Sequence, residues 1–250
     1  MDNIKLGLWE DFRNKIKHHL EVDNISNFFQ WHIIQHTMIA NVNDIEYNYL
    51  LKHNWDKWIT KISENKLQPN QHDRLSGSST NNLHHAYSLQ ILMDNLGIEL
   101  QEFDEVIEFG GGYGNMCRLF KRWGQKENYY IYDIPELTQI QRYYLNQNVV
   151  ENVEFKNGFD KIHLTTKNTL FIGMWSLTEV PISERAILLE NLEFYNCKSI
   201  FLGLVDKFIE ENNITWLNEQ VIPRLNDLGY TCKIIEIQHM PGMHYFLANR

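Results

Sequence analysis

The chain has 250 residues, 43% of them hydrophobic and 22% charged, which is typical of a folded protein and unlike a disordered one. Its 23 Lys and Arg against 32 Asp and Glu give a formal net charge of −9, which argues against a nucleic-acid partner held by phosphate contacts. The first residues carry charge in every turn, and no apolar run approaches the ~20 residues of a membrane-spanning helix. We therefore expect neither a secretory signal nor a membrane partner. The 3 cysteines lie far apart, without metal or redox spacing, which predicts reduced thiols and a cytoplasmic protein.

The first hundred residues carry a helical pattern. Apolar residues recur at helical spacing over 27–40 and over 45–59, and the polar stretch 69–82 predicts a loop. Residues 83–96 are again helical, and Gly97 suits the position after a helix because it adopts a positive φ at little cost. We expect residues 1–100 to form a helical cap or a dimerisation region, and in the second case a homodimer.

Residues 101–250 alternate between strands and helices. Apolar strands are predicted at 103–109, 129–133, 153–157, 169–175 and 199–205, and helices at 115–123, 135–146, 183–195 and 214–228. Strands that are apolar throughout are typical of a parallel sheet covered on both faces. The last two strands, 230–238 and 244–248, have too short a connection for a parallel crossover. The pattern predicts an α/β fold with a doubly wound, mostly parallel seven-stranded sheet that ends in an antiparallel β-hairpin, behind a helical N-terminal extension.

A glycine loop, EFGGGYG at 108–114, lies between the first of these strands and the following helix. A dinucleotide fingerprint would need another glycine at Asn115, and the Lys-Ser/Thr pair of a phosphate-binding Walker loop is absent. What remains is E-x-G-x-G-x-G with an acid, Glu108, at its start. Asp133 ends the next strand, 25 residues further on, where a carboxylate can accept both hydroxyls of a ribose.

On these residues the chain resembles the class I (Rossmann-like) S-adenosylmethionine-dependent methyltransferases, whose first motif is similar to VIEFGGGYG (106–114) and whose sheet ends in such a hairpin. Three further segments, GSSTNNLHHAY (77–87), DIPEL (133–137) with QRYYL (141–145), and WSLTEVP (175–181), resemble the sugar O-methyltransferases of bacterial surface-polysaccharide gene clusters. The resemblance covers roughly residues 75–190 and is more specific for the cofactor than for the acceptor.

The resemblance implies S-adenosylmethionine as cofactor and S-adenosylhomocysteine as product. It implies methyl transfer to a hydroxyl of a sugar, hexose or heptose, free or nucleotide-activated, for capsule or another surface polysaccharide. An N- or O-methyltransferase of another small molecule and a non-catalytic binding subunit are the alternatives. The cofactor contacts it implies are Glu108, Gly110, Gly111, Gly112, Tyr113, Asp133, Ile134, Gly158, Phe159, Asp160 and Trp175.

Three residues are candidates for the acid–base chemistry, because a neutral hydroxyl acceptor gains from a general base. Glu179 follows the fourth sheet strand and either serves as base, positions a substrate hydroxyl, or simply helps to start the next helix. His239 and His244 flank the loop of the closing hairpin, which the topology places over the carboxyl ends of the strands. Exposed turn residues are the alternative for both histidines.

Substrate contacts are expected from Asp206, at the end of the fifth sheet strand, and from His84 and His85, at the start of the helix before the sheet. His32 and His36 have a metal-like spacing but no nearby carboxylate partners, so we expect packed histidines and no metal. Arg118 and Lys121, on the first helix after the glycine loop, are expected to be solvated.

Overall fold

The computed structural model describes residues 8–40, 44–64, 71–72, 75–157, 164, 168–209 and 211–250. Its main sheet has seven strands: β1 (Glu105–Phe109), β2 (Tyr129–Tyr132), β3 (Val153–Lys156), β4 (Thr169–Met174), β5 (Ser199–Val205), β6 (Thr231–Glu236) and β7 (Met243–Asn249). Their order across the sheet is β6-β7-β5-β4-β1-β2-β3. The first five strands are parallel, and β7 pairs antiparallel with both β5 and β6. The predicted sheet and its closing hairpin are confirmed.

Alternating side chains of the parallel strands enter two different apolar clusters, which explains why these strands are apolar throughout. On β1, Val106 belongs to the cluster that also contains residues of the N-terminal helices, such as Phe28 and Trp58. Its neighbour Ile107 belongs to the cluster on the other face, together with Leu188. The sheet is therefore covered on both faces, and the described N-terminal helices pack on one of them.

The described helices are α1 (Leu8–Val22), α2 (His32–Met38), α3 (Asp44–Lys52), α4 (Trp55–Ile62), α5 (Thr80–Leu96), α6 (Asn115–Trp123), α7 (Pro135–Gln147), α8 (Ile182–Asn191), α9 (Asn213–Trp216) and α10 (Ile222–Asp227). A π-helical turn, Leu217–Val221, joins the last two. In the part of the chain that the structure describes, no helix is long and apolar enough to cross a bilayer.

Two predicted N-terminal helices are interrupted. The helix expected over 27–40 is a 3₁₀ helix, Ile25–Gln30, followed by α2, with an extended residue at Trp31 between them. The helix expected over 45–59 breaks at Asn54, whose φ of 56° is left-handed. Each break lies where a side chain makes a distant contact: the Trp31 ring stacks on His19 at 5.0 Å, and the Asn54 amide donates to Gln90 at 3.3 Å.

The boundaries of two other predicted segments also differ. Part of the expected loop over 69–82 is a strand, Leu75–Ser79, and α5 begins at Thr80 because the Ser79 side chain accepts from the backbone N–H of Asn82 at 3.2 Å. The helix expected over 183–195 ends at Asn191. Gly97 caps α5 with φ 68°, as predicted.

The expectation of a solvated Arg118 is wrong, since its exposed fraction is 0%. Its guanidinium donates to the side-chain oxygens of Asn82 and Asn115 and lies 3.6 Å from a carboxylate oxygen of Glu64. The polar face of α6 is thus covered by α5 and by the end of the segment after α4. Lys121, on the same helix, is half-buried.

Candidate active site

A cavity of about 280 Å³ opens at the carboxyl ends of β1 and β4. This edge is where the sheet changes direction, because β1 has β2 on one side and β4 on the other, and ligands of open α/β sheets bind there. Eleven of the predicted site residues line the cavity: His84, His85, Glu108, Gly110, Gly111, Gly112, Tyr113, Asp133, Ile134, Trp175 and Glu179. The predicted contacts Gly158, Phe159 and Asp160 lie outside the described residues.

The glycines of the loop after β1 serve two different purposes. Gly110 has φ +71°, and a Cβ there would lie 2.2 Å from Cβ of Ser176, so this glycine allows the loop to pack against the turn after β4. Gly112 has φ +57°, and a Cβ there would meet only Met38, at 3.7 Å or more. Gly112 therefore leaves room on the cavity side, where a ligand can approach the backbone closely.

Two buried carboxyl groups, Glu108 and Asp133, flank the glycine loop. Burial raises the pKa of Glu108 to about 8, against the effect of the Tyr129 hydroxyl, which donates to it at 3.0 Å. Burial likewise raises the pKa of Asp133 to about 7, although the carboxylate accepts from the Ile134 N–H at 2.8 Å and from the Gln141 amide at 2.7 Å. Burial thus shifts both acids towards the neutral form, and a cationic ligand would oppose that shift.

Glu179 is the third carboxyl group in the cavity lining. It lies in a 3₁₀ turn after β4, and the indole N–H of Trp9, on α1, donates to it. Burial raises the pKa of Glu179 to about 7, while the Trp9 hydrogen bond lowers it. The alternative role at the start of the next helix belongs instead to Glu211, whose two carboxylate oxygens accept from the Ile182 N–H at 3.0 and 3.1 Å.

His84 lines the cavity, and the predicted base His239 lies behind it. Nδ1 of His84 and Nε2 of His239 both lie 2.9 Å from the same oxygen, Oε1 of Glu46 on α3. All three side chains are buried. Burial would raise the pKa of Glu46, but the hydrogen bonds and charges of His84 and His239 outweigh burial and lower it. The carboxylate is therefore held in its charged form.

The other predicted histidines have different surroundings. His85 lines the cavity, and its Nδ1 accepts from the Asn115 amide at 2.9 Å. Burial lowers the pKa of His85 to about 3, with smaller contributions from the charges of His84 and Arg118, so the ring is neutral. Nδ1 of His244 lies 2.9 Å from a carboxylate oxygen of Asp206, and neither of these two residues is among the described residues that line the cavity.

Two aromatic residues of the predicted cofactor site are held by the protein itself. The Tyr113 ring packs edge-on against Tyr144 at 4.9 Å, and its hydroxyl accepts from the Asn81 amide at 2.8 Å. Trp175 has φ 67°, a strained backbone conformation for a bulky residue, and its ring lies 6.0 Å from that of His84. Gly203 makes room for this ring, because a Cβ there would come within 3.0 Å of it.

Sequence reasoning missed the part of the lining that comes from the N-terminal helices and the methionines. Trp9 enters from α1 and residues 36–40 enter from the end of α2. Of the 7 methionines in the chain, five line the cavity: Met38, Met116, Met174, Met240 and Met243. The lining contains no described lysine or arginine. Among the residues that the structure describes, no group of three or more His, Cys, Asp or Glu side chains is placed to hold a metal ion.

No protein-family model matches the sequence, and no curated protein matches it. Among solved structures, the methyltransferase domain of bacterial CtHen1-C matches with a TM-score of 0.52 and 9% identity over 66% of this chain and 96% of that domain. A second structure of this methyltransferase domain, from bacterial CtHen1-CN, matches with a TM-score of 0.50 and 9% identity over 64% of this chain and 94% of that chain. Magnesium protoporphyrin IX methyltransferase from Synechocystis PCC 6803 matches with a TM-score of 0.49 and 14% identity, over 84% of this chain and 99% of that protein. At 9% identity, the two matches with TM-scores of 0.52 and 0.50 define the fold alone: the chain has the mixed α/β, Rossmann-like fold of methyltransferase domains.

Proposed function

We propose that the protein is an S-adenosylmethionine-dependent methyltransferase that acts on a hydroxyl of a sugar. The observation that carries the proposal is the pair of buried carboxyl groups, Glu108 and Asp133, on either side of a glycine loop at the switch point of the sheet. Burying two acids whose charges repel each other is costly unless a ligand supplies partners for their charged forms. The ammonium group and ribose hydroxyls of S-adenosylmethionine are such partners.

The cofactor supplies a methyl group on a sulfonium, which is transferred by in-line displacement and leaves S-adenosylhomocysteine. The chain has to align the acceptor with that methyl group and exclude water. In this proposal Gly112 lets the backbone approach the amino-acid part of the cofactor, Asp133 accepts the ribose hydroxyls, and Trp175 forms a wall. The helices of residues 1–100 act as a cap, since Trp9 and Met38 belong to the cavity lining.

The sugar acceptor is supported by the resemblance of residues 133–137 and 175–181 to sugar O-methyltransferases and by Glu179, which can accept a hydrogen bond from a hydroxyl in the cavity. Trp9 and Trp175 also line the cavity, and their apolar rings are of a kind that packs against sugar rings. A nucleotide-activated sugar would need cations for its diphosphate, and the described lining contains no lysine or arginine. The described lining therefore suits a sugar hydroxyl and offers no cation to a diphosphate.

The five methionines of the lining favour a second candidate, an O- or N-methyltransferase of a less polar small molecule. Methionine side chains are flexible and apolar, and they adapt to hydrophobic ligands of different shapes. The two candidates share the cofactor and differ only in the acceptor. A non-catalytic binding subunit, the third alternative, would bind S-adenosylmethionine without turnover.

Calorimetry with S-adenosylhomocysteine tests the cofactor. We expect the wild type to bind it and Gly112→Val to lose most of the affinity, because the added side chain would enter the cavity. Gly97→Val is the matched control, since Gly97 has a similar φ of +68° at the end of α5 and nothing within 4 Å of its Cβ position. Absence of binding by the wild type, or equal affinity in both variants, would contradict the assignment.

Transfer of a labelled methyl group tests the acceptor. Methyl glycosides of hexoses and heptoses represent the sugar, and simple phenols and amines represent the second candidate. Methylation of a glycoside supports the proposal. Methylation of the phenol or amine alone would replace the sugar by the second candidate, and binding without transfer to any of them would favour the non-catalytic subunit.

A further inference from the structure

We propose that His84 is the base that removes the proton of the acceptor hydroxyl, and that Glu46 and His239 are positioning residues for it. This inference rests on the proposed function, because it concerns the acceptor that the methyltransferase would use. It starts from one geometric fact: a single carboxylate oxygen, Oε1 of Glu46, lies 2.9 Å from a ring nitrogen of each histidine.

The shared oxygen determines which nitrogens carry protons. A charged carboxylate only accepts hydrogen bonds, so both histidines must donate to it. His84 therefore carries its proton on Nδ1, and His239 carries one on Nε2. His84 acts as a base only in its neutral form, in which Nε2 is the basic nitrogen, and none of the described residues makes a hydrogen bond to Nε2. Because His84 lines the cavity, the proposal has this nitrogen face the acceptor.

The surroundings distinguish His84 from the other candidate bases. His239 is outside the described lining. His85 is inside, but its Nδ1 already accepts from Asn115, and burial lowers the pKa of His85 to about 3, so it is a poor proton acceptor. Glu179 already accepts a hydrogen bond from Trp9, so we assign it the task of holding the hydroxyl.

The acceptor oxygen forms a bond to the methyl carbon and gives its proton to Nε2 of His84. The electron pair of the broken carbon–sulfur bond stays on sulfur, which leaves as a neutral thioether. His84 becomes an imidazolium whose charge is compensated by Glu46, and it later releases the proton to water. His239 holds Glu46 from the opposite side, so the carboxylate keeps its place when His84 changes charge.

Nitrogen NMR of the full-length protein, labelled with ¹⁵N in histidine, tests the positioning without any acceptor. With S-adenosylhomocysteine present, we expect His84 to be protonated on Nδ1 and His239 on Nε2, with the signals identified in His84→Gln and His239→Gln. A His84 ring protonated on Nε2, alone or together with Nδ1, would overturn the proposal. His18→Gln, an exposed position on α1, is the control and should leave both signals unchanged.

Kinetics test the base with the first methyl glycoside that accepts label. We expect His84→Gln to lower kcat by about 10²–10⁴-fold and Glu46→Gln by less, with the affinity for S-adenosylhomocysteine kept in both. Glu46→Gln retains an acceptor oxygen and removes only the charge that compensates the imidazolium. Wild-type kcat in His84→Gln would overturn the base assignment.

The two proposals fail differently. Absence of S-adenosylhomocysteine binding by the wild type contradicts the proposed function whatever the histidine tautomers are. Binding and transfer at an unchanged rate in His84→Gln contradicts only the base. If no glycoside accepts label, the tautomer of His84 decides: Nε2 free of its proton supports the proposal, and Nε2 protonated contradicts it.

Discussion

Gly110 and Gly112 lie two residues apart with similar backbone angles, yet the structure predicts different costs for adding a methyl group. At Gly110, with φ +71°, the new Cβ would lie 2.2 Å from Cβ of Ser176, in the turn after β4. Because the backbone fixes the position of a Cβ atom, the Ser176 Cβ cannot rotate away. At Gly112, with φ +57°, the nearest atom is 3.7 Å away. Gly97, with φ +68° and open space, isolates the effect of the backbone angle.

The expected magnitudes follow from these distances. A left-handed conformation costs a non-glycine residue about 1–2 kcal/mol, and this applies to all three alanine variants. Gly110→Ala adds overpacking, about 1–3 kcal/mol. The total loss in the free energy of unfolding is then about 2–5 kcal/mol for Gly110→Ala and about 1–2 kcal/mol for Gly112→Ala and Gly97→Ala. The entropy that alanine removes from the unfolded chain is common to the three variants and cancels in the comparison.

Urea unfolding measures these differences, and a second substitution tests their cause. Ser176→Gly removes the Cβ that collides, and it also removes the hydroxyl that donates to the Phe109 carbonyl, a loss of about 1 kcal/mol. The double variant Gly110→Ala with Ser176→Gly should recover the overpacking part, which a double-mutant cycle reads as coupling. Equal stability of Gly110→Ala and Gly97→Ala, or absence of coupling to Ser176, would refute the reasoning.

Three further predictions use buried charges. Burial raises the pKa of Glu108 to about 8, so the native state holds a proton that the unfolded chain releases, and the free energy of unfolding should fall as pH rises from about 5 to about 8. Glu108→Gln should flatten this pH dependence, measured by urea unfolding at a series of pH values. An unchanged slope would contradict the shift. Trp9→Phe removes the donor that lowers the pKa of Glu179 and should move the acid limb of the kcat/KM profile to higher pH, whereas an unmoved limb would separate Glu179 from the reaction. Arg118→Met should reduce the free energy of unfolding by about 3–5 kcal/mol, and additional Glu64→Gln should restore part of it; a loss near zero would show that the pair is not buried as described.

The sheet was predictable because its signal is local. Each parallel strand is buried on both faces, so it appears as a short apolar run, and the five residues between the last two predicted strands exclude a crossover. The helix breaks at Trp31 and Asn54 were not predictable, because apolar spacing continues through both. At each break a side chain makes a distant contact, with His19 in one case and Gln90 in the other. A window of sequence around the break contains neither partner.

The residues of the candidate site likewise fall into those that the sequence pattern located and those that it did not. The glycine loop and Asp133 directly follow strands, so their place at the carboxyl edge of the sheet follows from the strand pattern. Trp9 and Glu179 are 170 residues apart and Glu46 and His239 are 193 apart, and no spacing in the sequence indicates that they meet. Arg118 was expected in solvent because arginine is mostly exposed, and only the packing of the segment after α4 against its helix shows otherwise.

The acidic composition has a local counterpart in the cavity. Glu108, Asp133 and Glu179 all line it, burial raises the pKa of each, to about 8, 7 and 7, and the described lining contains no lysine or arginine to offset them. A ligand that brings positive charge lowers these pKa values, so its binding is coupled to proton release and is strongest where the acids ionise. S-adenosylmethionine carries a sulfonium and an ammonium, and methyl transfer removes the first. In the proposed function, the carboxylates that favour binding of S-adenosylmethionine would therefore hold the product less tightly, because one of the two charges they compensate is lost in the reaction.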